Sequence, residues 1–505
     1  MVASLSPLLT FAALWQVKEW RVSRLMEHLR RENWFTQLFG RLRPALIVLT
    51  LLLMFIPAVP RSLALMGGLT LLAMLTAVQA GLRKQRRPVW TQKARILVGA
   101  ALAMTLTTAL LAVLPASPVP EELLPLLPML QPLFLAIAWA LFWPVDRALK
   151  NRVMNEARRI RMQNPDLQVI AITGSVGKTT TKELLAHVLS VLRPLATPAH
   201  VNTEIGVAQW ITMELPRYMA ERKEPGILIV EMGAYQKGEI ALMSSYVRQT
   251  IGVVTHVGTQ HIALFGSQQA LFEAKSEIIT ALPPGGHAFL NGDNEYCRKM
   301  KELAPCPATI VGTGGSADLE AFDIEETSGG IRMTVDGQAV TVPLHGTHNV
   351  TNVLLAVAVA RHLGLDMETI ARRLTSFQPP SRTFQVRDAR GVKILDDTYN
   401  GSAASMKAAV AWARTQPYEQ KTLLFAGLIE MGEEQERTET DLGELAASVF
   451  NRVIVIDPLS ARNVAKGFGK PVESPASAAR VTPGSLFVCV GRMPASAIDR
   501  LLPGI

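Results

Sequence analysis

The sequence predicts a helical membrane region followed by two α/β domains. Three observations predict it. Apolar runs of bilayer-spanning length dominate residues 1–150. From Leu167 onward, β-branched runs alternate with helical patterns, which is the rhythm of a parallel sheet. The stretch "VIAITG" also runs directly into "SVGKTTTKELL", a glycine turn opening a helix. A chain of 505 residues suits about three domains, at 1–150, 151–376 and 377–505.

The first region holds four strong apolar runs, 44–59, 62–82, 96–114 and 123–143. A weaker fifth covers 1–17 and either spans or lies in the interface. It lacks the basic start and small-residue cleavage site of a signal peptide. The region therefore carries 4–5 transmembrane helices. Residues 1–162 contain 20 Lys/Arg against 7 Asp/Glu, and the remainder 31 against 35. Basic residues interleaved with long apolar runs point to membrane lipid, with no nucleic acid as partner.

Loop charge sets the orientation. Seven Lys/Arg lie in 18–43, six in 83–95 and six in 147–161, whereas 57–62 has only Arg61 and 115–122 has none. Cationic loops stay cytoplasmic. Five spans with the N-terminus outside satisfy every loop, giving a multi-pass protein of the cell (inner) membrane with its catalytic domains cytoplasmic. The four strong runs contain no ionisable residue. This excludes the usual ion path of a pump and suggests an anchor, or a surface for a lipid-linked substrate. Three scattered cysteines, Cys297, Cys306 and Cys489, offer neither a disulfide framework nor a zinc site.

In the second region, strands are expected at "QVIAITG", "GILIVEMG", "TIGVVTHV" and "GHAFLNG", with helices at 178–192, 237–245 and 267–281 between them. A β-rich patch follows over 308–344, then an apolar helix over 349–364. "FQPPSRT" (377–383) reads as a linker. A second α/β set follows, with strands at "VKILDDTYN", "KTLLFAGLIEMG", "RVIVIDP" and "SLFVCVG".

The loop after the first strand is a shortened phosphate cradle. Gly174 and Gly177 enclose only Ser175 and Val176, and Lys178-Thr179 follow at once. Glycine lets the backbone approach a phosphate, and a helix N-terminus points N–H groups at it. Lys178 is placed to meet terminal phosphates and the Thr179 hydroxyl to meet Mg²⁺.

An ordered series of motifs follows: "GSVGKTTTKE" (174–183), "NTEIGVA" (202–208), "VEMGAYQKGEI" (230–240), "HIALFGS" (261–267), "EAKSEI" (273–278), "HGTHNVTN" (345–352), "PPSRTF" (379–384) and "DDTYN" (396–400). From about Gln168 to its end the sequence resembles the Mur ligase family of ATP-dependent peptide-bond-forming enzymes. It is most similar to the branch that adds D-alanyl-D-alanine to a UDP-N-acetylmuramoyl tripeptide. The resemblance implies a P-loop central Mur ligase domain with a parallel sheet and a C-terminal Rossmann-like α/β domain.

It implies, too, a two-step reaction. A substrate carboxylate takes the γ-phosphoryl group of ATP, and an amine then displaces phosphate from the acyl phosphate to form an amide. The cofactors implied are ATP and Mg²⁺. The partners are a small-molecule or lipid-linked peptide carboxylate and an amine, D-Ala-D-Ala or another.

The same resemblance assigns residues. Gly174, Ser175, Gly177, Lys178, Thr179 and Thr180 hold phosphates. Glu231 and His261 are metal ligands beside Thr179. Lys275 is a further ligand if carbamylated, a reaction that burial favours by lowering the amine's pKa. Catalytic roles fall to Lys178, Lys275 and His261. Asn349 serves the adenine side, with His348 beside it, and Asn352 caps or packs. Arg382 could bring a cation to the γ-phosphate when the last domain closes. Asp397 contacts ATP, Asp396 being equally suited to strand-end solvation. Asn202, Thr203, Tyr399 and Asn400 face the substrate. His256 lacks a motif match and receives no role.

The sequence departs from the family at three places. The membrane region stands where relatives have a uridine-nucleotide domain. Gly401-Ser402-Ala403 replaces A-N-P, and "FAGLIEMGEE" and "VCVGRMPAS" replace segments of the amine-selecting domain. Two alternatives stay open: the same chemistry on another carboxylate–amine pair, such as a lipid-linked peptide or a poly-amino-acid, and an ATP-binding membrane scaffold without ligase activity.

Overall fold

A computed structural model describes every residue except 32, 83–84, 115–117, 223, 259–261, 328, 400, 429–430, 432–433 and 504–505. The chain forms two compact units, Met1–Asn151 and Arg152–Ile505.

The first unit is helical: α1 (Val2–Val17), α2 (Val22–Arg31), α3 (Trp34–Phe39), α4 (Leu42–Met54), α5 (Arg61–Gly81), α6 (Gln92–Val113) and the start of α7 (Leu127–Met162). Among the described residues, α5, α6 and α7 are long and apolar enough to cross a membrane. The run at 44–59 yields a helix of only 13 residues, which is short of a full span. Its end has a local cause, because Ile56 precedes Pro57 and proline disfavours helical dihedrals in the residue before it.

The weaker run forms α1, of 16 residues, whose Leu8, Phe11, Ala12 and Trp15 share a buried cluster with Leu97, Val98 and Ala101 of α6 and Leu135 and Ala138 of α7. At its start, the Thr76 hydroxyl donates to the Ala3 carbonyl at 3.3 Å and the Ser6 hydroxyl to Gln79 Oε1 at 2.9 Å. At its end, Gln16 Nε2 donates to the Val89 carbonyl at 2.8 Å. Thr76, Gln79 and Val89 all belong to the last turns of α5 and the segment after it.

The second unit carries two sheets. The first contains β1 (Gln168–Thr173), β2 (Leu195–Ala196), β3 (Ile227–Glu231), β4 (Ile251–Val254), β5 (His287–Asn291), β6 (Ala308–Gly312), β7 (Leu319–Thr327), β8 (Gly330–Val335) and β9 (Gln338–Val342) in the order β2-β3-β1-β4-β5-β6-β7-β8-β9. Pairing is parallel as far as β7 and antiparallel from β7 to β9. The sheet is therefore mixed. The β-rich patch of 308–344 extends it as a meander, so the expected parallel sheet gains an antiparallel end.

Burial on both faces explains the unbroken apolar strands. Ile170 and Ile172 of β1 face one core with α8 (Lys178–Val188), and Val169 and Ala171 face the other with α9 (Glu204–Ala220), α10 (Glu239–Val247) and part of α12. The short α11 (Ile262–Phe265), α12 (Gln268–Thr280) and α13 (Glu295–Lys299) follow in the chain. On the first face, α14 (Asn349–His362) and α15 (Met367–Thr375) complete the cover.

The last sheet contains β10 (Gln385–Ala389), β11 (Val392–Asp397), β12 (Lys421–Phe425), β13 (Arg452–Val455) and β14 (Leu486–Val490), ordered β10-β11-β14-β12-β13. Only the edge pair β10/β11 is antiparallel. Helices α16 (Ala403–Thr415), α17 (Gln435–Ala447), α18 (Pro458–Phe468) and α19 (Ala495–Leu501) flank it.

The packing of α4 on α5 is testable through one glycine. A Cβ on Gly68 would collide with the Thr50 side chain, whereas one on Gly67 would meet nothing within 4 Å. Gly68→Val is expected to cost about 1–3 kcal/mol by overpacking, lowering the melting midpoint in detergent, while Gly67→Val leaves it near wild type. Equal midpoints for the two variants would overturn this packing.

Candidate active site

The site gathers at the carboxyl ends of β1, β3, β4 and β5, on either side of the point where chain order reverses about β1. Open α/β sheets bind ligands in such crevices. Gly174 (φ 151°) and Gly177 (φ 85°) bend the loop between β1 and α8 through backbone conformations that side chains rarely adopt. Any Cβ there would strike Thr255 Oγ1 at Gly174 or Asn352 Oδ1 at Gly177. The first intrahelical bond of α8 runs from Thr181 N–H to the Gly177 carbonyl at 2.9 Å, so the N–H groups before it are left for an external acceptor.

Lys178 opens α8 and folds back over the loop, donating to the Gly174 carbonyl at 2.6 Å and the Ser175 carbonyl at 3.2 Å. Burial lowers its pKa, and Glu231 opposes the shift. The carboxylate of Glu231 is 4% exposed. Its Oε2 accepts the Thr179 hydroxyl at 2.9 Å, and its Oε1 accepts Asn202 Nδ2 at 3.0 Å. Lys182, fully buried, lies 3.9 Å from Oε2 and donates to the Thr197 carbonyl at 2.7 Å.

The pairing of a carboxylate with a hydroxyl suits Mg²⁺, which takes few protein oxygens and completes its shell with phosphates and water. Among the described residues no cluster of three His, Cys, Asp or Glu side chains forms. His261, expected as a ligand, lies outside the described residues, as does Asn400.

Lys275 is buried on α12. Glu277, half a turn further on, accepts the Gly238 N–H at 2.6 Å and the Ala241 N–H at 2.9 Å, docking α12 onto the start of α10. Burial, then the charge of Lys178, lowers the Lys275 pKa to about 7, against the pull of Glu239, Glu277 and Glu231. A neutral amine near neutral pH is what carbamylation requires.

A cavity of 630 Å³ opens from the loop. Ser175, Lys178, Thr179 and Thr180 form its floor, His348 and Asn349 one wall, and Asp397 and Tyr399 line it from the C-terminal domain. Asn349 Nδ2 is committed to the His345 carbonyl at 2.8 Å, and its Oδ1 accepts Asn352 Nδ2 at 2.9 Å. Asn352 thus packs against the loop. Burial drives the His348 pKa to about 4, keeping the ring neutral. Burial also raises Asp397 to about 7, although Ser405 and the Phe384 N–H donate to it. The Tyr399 ring stacks on His200 at 5.0 Å, and its hydroxyl meets His200 Nδ1 at 3.0 Å.

Two further expected residues make local bonds. Arg382 does not line the cavity. Its Nε donates to Thr398 Oγ1 at 2.9 Å, and its Nη2 donates to the Met493 carbonyl, so the charge braces the C-terminal domain. Thr203 caps α9 by accepting the Gly206 N–H. The residues that sequence reasoning passed over are Lys182, Thr255, Asn291 and His256. Lys182 is one helical turn from Lys178, the spacing that shares a face. His256 lines the cavity, and its carbonyl accepts the Ser175 N–H at 2.7 Å.

Comparison with known proteins places this architecture. The Mur ligase middle domain matches residues 172–360, and the Mur ligase glutamate ligase domain matches 381–491. The chain belongs to the Mur ligase family. Its similar relatives include the UDP-N-acetylmuramoyl-tripeptide--D-alanyl-D-alanine ligases of Synechocystis (36% identical, 53% of this chain and 56% of the relative) and Escherichia coli (32%, 65% and 74%). The chain thus spans just over half the length of the first of these.

Among solved structures, MurF from Acinetobacter baumannii matches with a TM-score of 0.63 at 27% identity, over 70% of this chain and 79% of that one. Thermotoga maritima MurF in complex with ADP matches at 0.59 and 25%, over 69% and 82%. The helical unit lies before both family domains.

The Lys275 environment predicts a pH signature. Its folded pKa lies below the unfolded value, so below about pH 7 the folded state carries the full cost of a buried ammonium. That cost is relieved as pH rises from about 7 towards about 10, where only the unfolded chain keeps the proton. Between about pH 7 and about pH 9, wild type should gain stability relative to Lys275→Met, read from urea midpoints. A constant difference would contradict the assignment.

Proposed function

We propose that the chain is a membrane-inserted, ATP-dependent amide ligase that adds D-Ala-D-Ala, or a similar amine, to a peptidoglycan-precursor peptide. The observation that carries this reading is the Glu231–Thr179 pair beside the glycine loop and Lys178, facing a cavity closed from the C-terminal domain by Asp397 and Tyr399. A nucleotide fits with its phosphates on the loop and the α8 N-terminus. Glu231 and Thr179 would hold Mg²⁺, and Asn202 and Lys182 fix the Glu231 carboxylate. When bound, the metal supplies neutralising charge to the phosphates.

The substrate carboxylate oxygen then forms its bond to the γ-phosphorus as the bond to the β-phosphate oxygen breaks, releasing ADP. The amine nitrogen next attacks the acyl carbon. Phosphate leaves, and the amine loses a proton. Lys178 spreads the developing phosphoryl charge, and the protein's part is positioning. Lys275 in carbamylated form would add a carboxylate-like ligand. Retention of a ¹³C-bicarbonate carbonyl signal in Lys275→Met would exclude that part.

A second reading keeps the chemistry and changes the substrates. A further cavity of 240 Å³ beside the loop is lined by Gly401, Ser402, Ala403, Lys407, Leu428 and Met431, where the sequence departs from the family. The amine selected there need not be D-Ala-D-Ala, and the carboxylate could be lipid-linked.

For location, we infer a cell-membrane protein in which α4 to α7 pass through the bilayer and α1 lies at the cytoplasmic face. This four-pass arrangement keeps every basic loop cytoplasmic. The short α4 is supported by locally thinned or protein-shielded bilayer.

In detergent-purified protein, ADP release is expected only with both a carboxylate and an amine partner, tested first with UDP-N-acetylmuramoyl tripeptide and D-Ala-D-Ala. Lys178→Ala should abolish it, and Glu231→Gln should slow it by about 100-fold or more. ATP hydrolysis indifferent to both partners would refute ligation.

A further inference from the structure

We propose that a cavity in the helical unit is a binding site for a phosphate-bearing anion. The cavity, 260 Å³, lies between α1, α3, the end of α5 and the segment after it. Ser6, Thr10, Thr36, Gln79, Gln85 and Arg86 give it a hydroxyl, amide and guanidinium lining inside an otherwise apolar unit. Among the described residues no acidic side chain lines it.

Behind this wall sits Arg43, 1% exposed. Its guanidinium donates to the Phe39 carbonyl at 3.4 Å, Thr76 Oγ1 at 3.2 Å and Gln79 Oε1 at 3.0 Å. These acceptors are neutral, its Nε is buried without a partner, and among the described residues it forms no ion pair. Glu19 is engaged by Arg21 and Arg24, and Asp146 by Lys93 and Lys150.

A buried cation without a counter-ion is costly. Gln79 connects it to the cavity, accepting from both Arg43 and the lining residue Ser6. An anion in the cavity would sit one side chain from Arg43 and meet Arg86 directly. Gln85, also on the lining, has a buried Nε2 without an acceptor. Several donors converging on one space suit phosphate, whose oxygens accept from many directions and pair with guanidinium.

The cavity adjoins α1 and the end of α5, and basic residues cluster in the neighbouring sequence segments 18–43 and 83–95. Lipid phosphates gather beside such segments, and a free phosphate has the same chemistry. The proposal rests on the helical unit alone, so failure of the ligase reading would not affect it.

The test uses the full chain in non-ionic detergent, with melting midpoints titrated against inorganic phosphate, farnesyl phosphate, farnesol and acetate. Stabilisation by both phosphates identifies a site open to the free anion, and stabilisation by farnesyl phosphate alone identifies a lipid headgroup site. Arg86→Gln, at the exposed rim, should weaken binding about tenfold, the loss of one charge-assisted hydrogen bond. Arg43→Gln should weaken it too. No response to either phosphate, an equal response to acetate or farnesol, or full affinity in Arg86→Gln would overturn the proposal.

Discussion

The site depends on how one carboxylate is held. Glu231 ends β3, yet its two oxygens are tied to Thr179 on α8 and to Asn202 in the loop before α9. Its own N–H donates to Thr197 Oγ1 at 3.0 Å. Three segments far apart in sequence are thus fixed to one charge. Such a charge costs free energy unless it is paired and hydrogen-bonded, and here both conditions are met. Lys182 supplies the nearest opposite charge while its own ammonium is anchored on the Thr197 carbonyl. Truncating any of these groups would leave another buried and unpaired.

The C-terminal domain completes the site through few contacts. Arg382 sits in the left-handed region at φ 65° and ties the entry to this domain to Thr398 and Met493. The Tyr399 N–H donates to the Arg382 carbonyl at 3.0 Å, so the brace that consumes Arg382 also places Tyr399. Tyr399 then reaches His200 in the middle domain. Arg382 is thus the joint that carries a tyrosine to the cavity edge.

The sequence made some of this legible and not the rest, for physical reasons. The glycine loop could be read because its residues are adjacent and its chemistry depends on backbone shape. Glu231 could be read because it ends an apolar strand. Lys182 and His256 were not, because their roles arise from tertiary neighbours: a carbonyl at Thr197 for one, and the loop's Ser175 N–H for the other. The meander β7–β9 was visible as β-rich, but whether it joined the parallel sheet depended on pairing with β6. In the helical unit, hydropathy found every apolar run. It could not tell where α1 is tied, since that is decided by polar contacts at Thr76, Gln79 and Val89.

The loop's own conformation reflects the balance of charge around it. Burial lowers the pKa of both Lys178 and Lys275, the charge of Lys178 lowers Lys275 further, and Glu231 opposes both shifts. Lys178 turns inward onto the Gly174 and Ser175 carbonyls. A polyphosphate would offer stronger ones. Its oxygens would compete for the ammonium and take the open N–H groups at the start of α8. Bringing several negative charges beside Lys178 also offsets the repulsion felt by Lys275 and favours its protonated form.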